Sequence, residues 1–453
     1  MNRSFTKYIS GSITWISIFI LAILPFHEFL TTWIGSNFGH LDAWRSWKEI
    51  VILILLPFVF YLIICSKDLR EWFKKDWLVR VLLVYVVLVI LSGIWGYKRG
   101  NVNKSALLDG YLIDLRFLAF FGVTAVVTYY NQSIKKYWRY ILVIPSLVVI
   151  AFGIVQLFLP YNFLSHFGYG PKTIPAYETV NHEIQYQRIQ STLRGANPLG
   201  AYLVLIIPAI LLSFRRKVWL RVVILAAALV ALLFSYSRSA WVGLVITLVA
   251  LVYLVWVKPE WRKKYLISCI VLAFIAVIGV VSLRYNTAAE NIFFHTNKTT
   301  TSRISSNSQR TSALKSGLKS LIHKPLGSGT GSSGAASEHN NHPARIPEDY
   351  FIQIGQETGW LGIALFVAIN IMVGIRLWRV RSDTLAILLL VSLIGISLVN
   401  LVSLAWADDT LSLIWWGLAG VMLTPDIIKK AKPKSDHGKT FKKTIGQTKK
   451  QSA

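Results

Sequence analysis

The stretch WLRVVILAAALVALLFSYSRSAWVGLVITLVALVYLVWV, residues 219–257, decides the fold. Two apolar runs, 219–235 and 240–257, are separated only by Ser235-Tyr236-Ser237-Arg238-Ser239. Runs of about 17–22 apolar residues are long enough to cross the hydrocarbon core of a bilayer as helices. The pair therefore reads as a membrane hairpin with an arginine at its tip.

The pattern repeats outward in both directions. Apolar runs occur at 9–26, 49–66, 80–97, 116–131, 140–160, 198–214, 219–235, 240–257, 265–283, 359–376, 383–404 and 410–425. The 453 residues are 54% hydrophobic and 15% charged, with a mean hydropathy of +0.52. Soluble domains carry roughly 25% charged residues, so a water-facing fold is excluded. The expectation is an all-α, polytopic integral membrane protein of about twelve transmembrane helices. Residues 1–425 form its membrane domain, and 426–453 a basic cytoplasmic tail without enough apolar residues to order itself. Long external loops cover 161–197 and 284–358. The second, between spans nine and ten, is polar at Thr299–Ser308 and Gly327–Ser337, with a helix-like segment, Arg310–His323, between them. Loops of this length are functional or disordered, and this one is expected to have parts of both kinds.

Lys+Arg outnumber Asp+Glu 48 to 21, for a net charge of +27. In a polytopic chain the excess is explained by the bias of basic residues toward cytoplasmic loops. With the N-terminus inside, every second loop is basic, from Lys67, Arg70, Lys74 and Lys75 through to Arg376, Arg379 and Arg381. Both termini are thus expected in the cytoplasm. The tail from Lys429 onward holds nine lysines against Asp436, and its expected partners are anionic lipid headgroups rather than nucleic acid. The two cysteines, Cys65 and Cys269, supply neither a disulfide framework nor a metal-ligand spacing.

Charges at the other, external ends of the spans run against this bias. Arg238 lies at the hairpin tip, and Arg194 closes the first long loop in Arg194-Gly195-Ala196-Asn197-Pro198-Leu199-Gly200. An arginine at a span edge is either a snorkelling anchor or a guanidinium kept for an anionic group, whose phosphate oxygens its planar fork can grip twice. Pro347-Glu348-Asp349 opens a helix, with proline early and acids in the first turn. Glu348 and Asp349 either cap that helix or act as a base. His339 and His342 in Glu338-His339-Asn340-Asn341-His342 have the spacing of a metal pair but no matching ligand set. Asp408 and Asp409, in the loop Trp406–Thr410, are further external acids. The spans themselves show almost no ionisable residue in mid-run, which argues against a transport path.

Taken together these motifs resemble the O-antigen ligase and polymerase superfamily of polytopic enzymes. Ser237-Arg238-Ser239-Ala240-Trp241 resembles its Ser-Arg-Ser-Ala-Trp signature, and Arg194 to Leu199 its arginine-bearing stretch before a span. Arg310, followed by His323-Lys324-Pro325-Leu326-Gly327-Ser328-Gly329, is similar to its large-loop element. Gln353 to Gly362 is similar to the end of that loop. The resemblance departs at one place. The ligases carry a His-Asn pair eleven residues before the glycine of Glu-Thr-Gly, where this chain has Glu348-Asp349, and His339-Asn340 lies nine residues further upstream.

The resemblance implies a glycosyltransferase at the outer face of the bacterial cytoplasmic membrane, inverting and independent of metal or other cofactor. It would move an oligo- or polysaccharide from undecaprenyl diphosphate to a glycan, lipid-linked or protein acceptor. Arg194 and Arg238 would hold the diphosphate, Arg310 would order the loop or bind donor glycan, and Glu348, with Asp349 second, would replace the histidine as base. The alternatives are a repeat-unit polymerase and a flippase of lipid-linked glycan.

Overall fold

The computed structural model describes residues 3–180, 183–213, 218–282 and 306–425. The basic tail, the loop residues Arg215–Lys217 and residues 283–305 lie outside them.

The described chain is almost entirely helical. Its first part comprises α1 (Arg3–Phe38), α2 (Leu41–Arg45), α3 (Trp47–Cys65), α4 (Lys67–Lys75), α5 (Trp77–Lys98), α6 (Lys104–Tyr130) and α7 (Ser133–Gln156). A two-stranded antiparallel hairpin follows, β1 (Glu178–Val180) and β2 (Glu183–Arg188). Then come α8 (Ala196–Ser213), α9 (Val218–Phe234), α10 (Arg238–Val255), α11 (Arg262–Ser282), α12 (Ser306–His323), α13 (Tyr350–Arg379), α14 (Thr384–Val399) and α15 (Asp409–Met422). Side-chain caps start several of them: Asp76 for α5, Asn103 for α6, Asp383 for α14 and Asp408 for α15 each accept a backbone N–H of the first turn.

Every apolar run expected from the sequence overlaps one of these helices. Eight are long and apolar enough to cross a membrane: α1, α3, α5, α6, α7, α8, α10 and α13. The helices α9 and α14 are apolar but shorter. The figure of about twelve spans is thus reached only in part. The helix α4 is an addition to the expected spans: it turns Trp72 and Phe73 toward a groove between α3, α5 and α6 and leaves its lysines in solvent.

All residues of α15 are buried, and its Trp415 and Trp416 pack edge-on or tilted against Trp406 and each other. Small residues let neighbouring backbones approach it, a habit of membrane helix packing. Thr124 of α6 donates to the Gly417 carbonyl at 2.7 Å. Two ion pairs join helix ends that the loop charges assign to one side. Arg376 near the end of α13 pairs with Asp76 at 2.8 Å, and Lys135 at the start of α7 pairs with Asp383 at 2.9 Å. All four belong to the end expected to be cytoplasmic.

The segment Gly327–Ser337 corrects the expectation of a polar, partly disordered loop. It is folded into the protein between α5, α6 and α13, with Ser328, Thr330, Ser332, Ser333 and Ser337 buried. Most of its polar groups find partners: Thr330 donates to the Val89 carbonyl, Ser328 N–H to Gln356 O, and Gly331 N–H to a Glu357 oxygen. That is the condition for burying backbone without a regular helix or sheet. Gly327 and Gly359 both take positive φ, and a Cβ on Gly327 would stand 2.7 Å from the Gly359 nitrogen. Only glycine fits this crossing. Gly359 also kinks α13 into an external half, 350–358, and the span that the sequence places from 359.

Candidate functional site

The first long loop is tied down by one arginine that the sequence reading left without a role. Arg188, the last residue of β2, donates to Ser235 O at 2.9 Å and to Asn197 Oδ1 at 2.7 Å, and pairs with Glu178 at 3.2 Å. Its other anchors are Ile189 N–H to Phe234 O and Thr192 Oγ1 to Pro25 O. The stretch that carries Arg194 is therefore held against both α1 and the α9–α10 turn.

Arg194 itself is exposed, and among the described residues its guanidinium forms no hydrogen bond or ion pair. Its charge acts on Glu28 of α1. Arg238 is half-buried at the first position of α10 and has interactions within the fold. The preceding turn has Tyr236 at φ 49°, and Ser237 makes no side-chain cap. Arg238 thus stands at the positive end of the α10 dipole, and a guanidinium there favours anions. Burial pushes the Tyr236 phenol up, with Tyr186 adding to it, so the turn presents a neutral hydroxyl.

The two arginine motifs meet through Gly200. A Cβ there would stand 2.7 Å from Ser237 Cβ and 2.8 Å from Ala240 Cβ, so α8 and α10 are in contact within two turns of Arg194 and Arg238. Gly200→Val is expected to push these helix ends apart, with an overpacking penalty of about 1–3 kcal/mol. Transfer by the variant should fall by more than its thermal stability in detergent explains. A wild-type rate would show that the contact does not set the site.

The start of α13 lies at the same end. Tyr350 N–H donates to Asn400 O at the end of α14, and α14 packs on α10 where a Cβ on Gly243 would stand 2.7 Å from Val399. Asp349 is the N-cap of α13: its Oδ1 accepts the Ile352 N–H at 2.9 Å. Burial pushes its carboxyl up, against the pull of the Ile352 and Phe351 N–H groups. Glu348 is half-buried and does not cap the helix. His339 stands elsewhere, paired with Asp109 of α6 at 2.8 Å, while Asn340 bonds Asn103 and Gly331 O. Arg310 falls in α12, but its side chain lies outside the described residues.

Asp408 and Asp409 divide into two roles. Asp408 accepts the Leu411 N–H, and burial, with repulsion from Asp409, pushes its carboxyl up to about 7. Asp409 is the centre of a buried ion cluster that was missed in the sequence. Its Oδ2 lies 2.9 Å from His27 Nε2, 2.7 Å from Lys48 Nζ and 3.7 Å from Arg116. Lys48 and Arg116 also pair with Glu49, at 3.3 and 3.0 Å, and His27 lies 3.4 Å from Glu28. Ligand atoms of His27, Glu28 and Asp409 lie within 4.8 Å of one another, a spacing open to a metal ion. The Asp409 oxygen such an ion would need already faces Lys48 and Arg116.

Every member of this cluster sits at or just beyond the edge of an apolar run, which is why no mid-run charge was visible. The buried carboxyls of Asp114 and Glu357, which act on one another, follow the same rule. A cavity of about 530 Å³ forms an apolar groove along α3, α5 and α6, and the charged residues in its lining are Glu49 and Arg116.

No curated protein matches the chain. Residues 223–367 match the family model described as O-antigen ligase. That stretch runs from α9 and the Arg238 turn, through the large loop, into the span of α13. Over that stretch, about a third of its length, the chain is similar to the O-antigen ligase family.

Proposed function

We propose that the protein is an inverting glycan transferase at the outer face of the cytoplasmic membrane, taking an oligo- or polysaccharide from undecaprenyl diphosphate. The observation that carries the reading is the contact of α8 and α10 near their starts, which puts the Arg194 stretch and Arg238 at one end of the bundle. The acceptor oxygen attacks the anomeric carbon as its bond to the diphosphate oxygen breaks. The acceptor proton passes to Glu348, and the leaving diphosphate takes up the electron pair. Arg194 and Arg238 stabilise that charge, so the step needs no metal.

The test is the carrier-linked glycan pool in a deletion strain complemented with wild type or Arg238→Ala. Long polymer accumulating on the carrier in the variant means a ligase, and single units on the outer leaflet a polymerase. Units trapped on the inner leaflet, or no dependence on Arg238, overturn the reading in favour of a flippase.

The base is tested separately. Glu348→Gln should lower transfer about 10²-fold or more, within the range of a lost general base. Asp349→Asn should change little, because asparagine also caps helices. Full activity in Glu348→Gln with loss in Asp349→Asn would move the base to Asp349.

A further inference from the structure

Beside Glu348 the large loop forms a second, polar cavity of about 470 Å³, a size ordinary for a small-ligand site. One wall is α12, with Ser316 and Ser320, followed by Lys324. The other is the segment 344–347, and Gln356 of α13 also lines the cavity. Its lining holds two cations, Lys324 and Arg345, and no carboxylate. Among the described residues neither side chain forms an ion pair or hydrogen bond, although both are exposed.

The walls are built rather than loose. Arg345 O accepts Gly334 N–H and Ser333 Oγ, and Arg345 N–H donates to Ser337 Oγ. Ser333 also donates to Gln356 Oε1 at 2.6 Å. The buried Gly/Ser segment thus fixes the backbone of Arg345. On the other side α12 packs tightly on α13, where a Cβ on Gly317 would stand 2.6 Å from Ile352. The combination of unpaired cations with serine and amide groups suits a sugar ring that carries an anionic substituent.

We propose that this cavity binds an acidic sugar unit of the glycan, carboxylate- or phosphate-bearing, with Arg345 and Lys324 gripping the charge. The proposal rests on the transferase reading, which it deepens by naming the substrate class. Pro347 lines the cavity and Glu348 follows it in the chain, so a bound unit lies next to the proposed base.

The test is binding of lipid-free glycans to the full-length protein in nanodiscs, by calorimetry. The probes are trigalacturonic acid, its carboxyl-reduced neutral counterpart, and a short poly(glycerol phosphate). The expected result is binding of one anionic probe about tenfold or more tighter than the neutral one, weakened about tenfold by Arg345→Gln or Lys324→Gln. Which anionic probe binds tells carboxylate from phosphate. Equal binding of the neutral probe, no binding of either anionic one, or unchanged affinity in both variants overturns the proposal. Absent binding with Arg238-dependent transfer intact overturns the cavity alone; binding without Arg238 dependence overturns the transferase reading alone.

Discussion

Arg194→Ala and Arg238→Ala are each expected to slow transfer about 10²–10³-fold, the loss of roughly 3–4 kcal/mol of stabilisation at a developing oxyanion. A diphosphate gains charge as the glycosidic bond breaks, and a guanidinium at the first position of α10 meets that charge with the helix dipole behind it. The two variants differ in what else they disturb. Arg194 is exposed and makes no bond among the described residues, so its removal should leave thermal stability unchanged. Arg238 has partners in the fold, so its variant is read against its own melting temperature. Lysine in either place keeps the charge without the two-pronged donor, and should recover only part of the rate. Transfer should also survive a chelator. Turnover that stops on chelation, or alanine variants that keep wild-type rates, would remove the arginines from the chemistry.

How much of this was readable from residues alone follows from what each signal consists of. Apolar runs announce helices because a bilayer demands length and hydrophobicity together, and each run met a helix. Arg194 and Arg238 stood out because they break the charge bias of the loops. The helix over Arg310–His323 was visible in its pattern and begins four residues earlier, at Ser306. Asp349 was open between cap and base, and its bond to Ile352 fills the first role without deciding the second. Gly327–Ser337 misled because glycine and serine are the composition of flexible loops. Here they are small enough to pass between α5 and α6, at Gly96 and Gly110, with bonds to Val89, Gln356 and Glu357, all distant in sequence. Arg188 was hidden for a related reason: its three partners come from β1, α8 and the α9–α10 turn, and only folding assembles them.

Asp409→Ala is expected to be the most destabilising single change at this end of the bundle, by about 3–5 kcal/mol, the usual result of removing one partner from a buried ion network. Asp409 is the acid that Lys48, Arg116 and His27 share, and Lys48 is 2% exposed. Without it, Lys48 and Arg116 retain Glu49 alone, so two buried cations face one carboxylate. The measurement is the melting temperature and monodisperse yield of the purified protein in detergent. The double variant Lys48→Met with Asp409→Leu removes one charge of each sign and should be more stable than either single variant, since the remaining Arg116–Glu49 pair is balanced. A structural network also predicts where activity is lost. Thr192 ties the Arg194 stretch to α1 at Pro25, two residues before His27. Loosening α1 should therefore lower transfer even in protein that remains folded at assay temperature. If Asp409→Ala melts like wild type, the cluster does not stabilise the bundle. If it melts like wild type and also loses transfer, these charges belong to the chemistry instead.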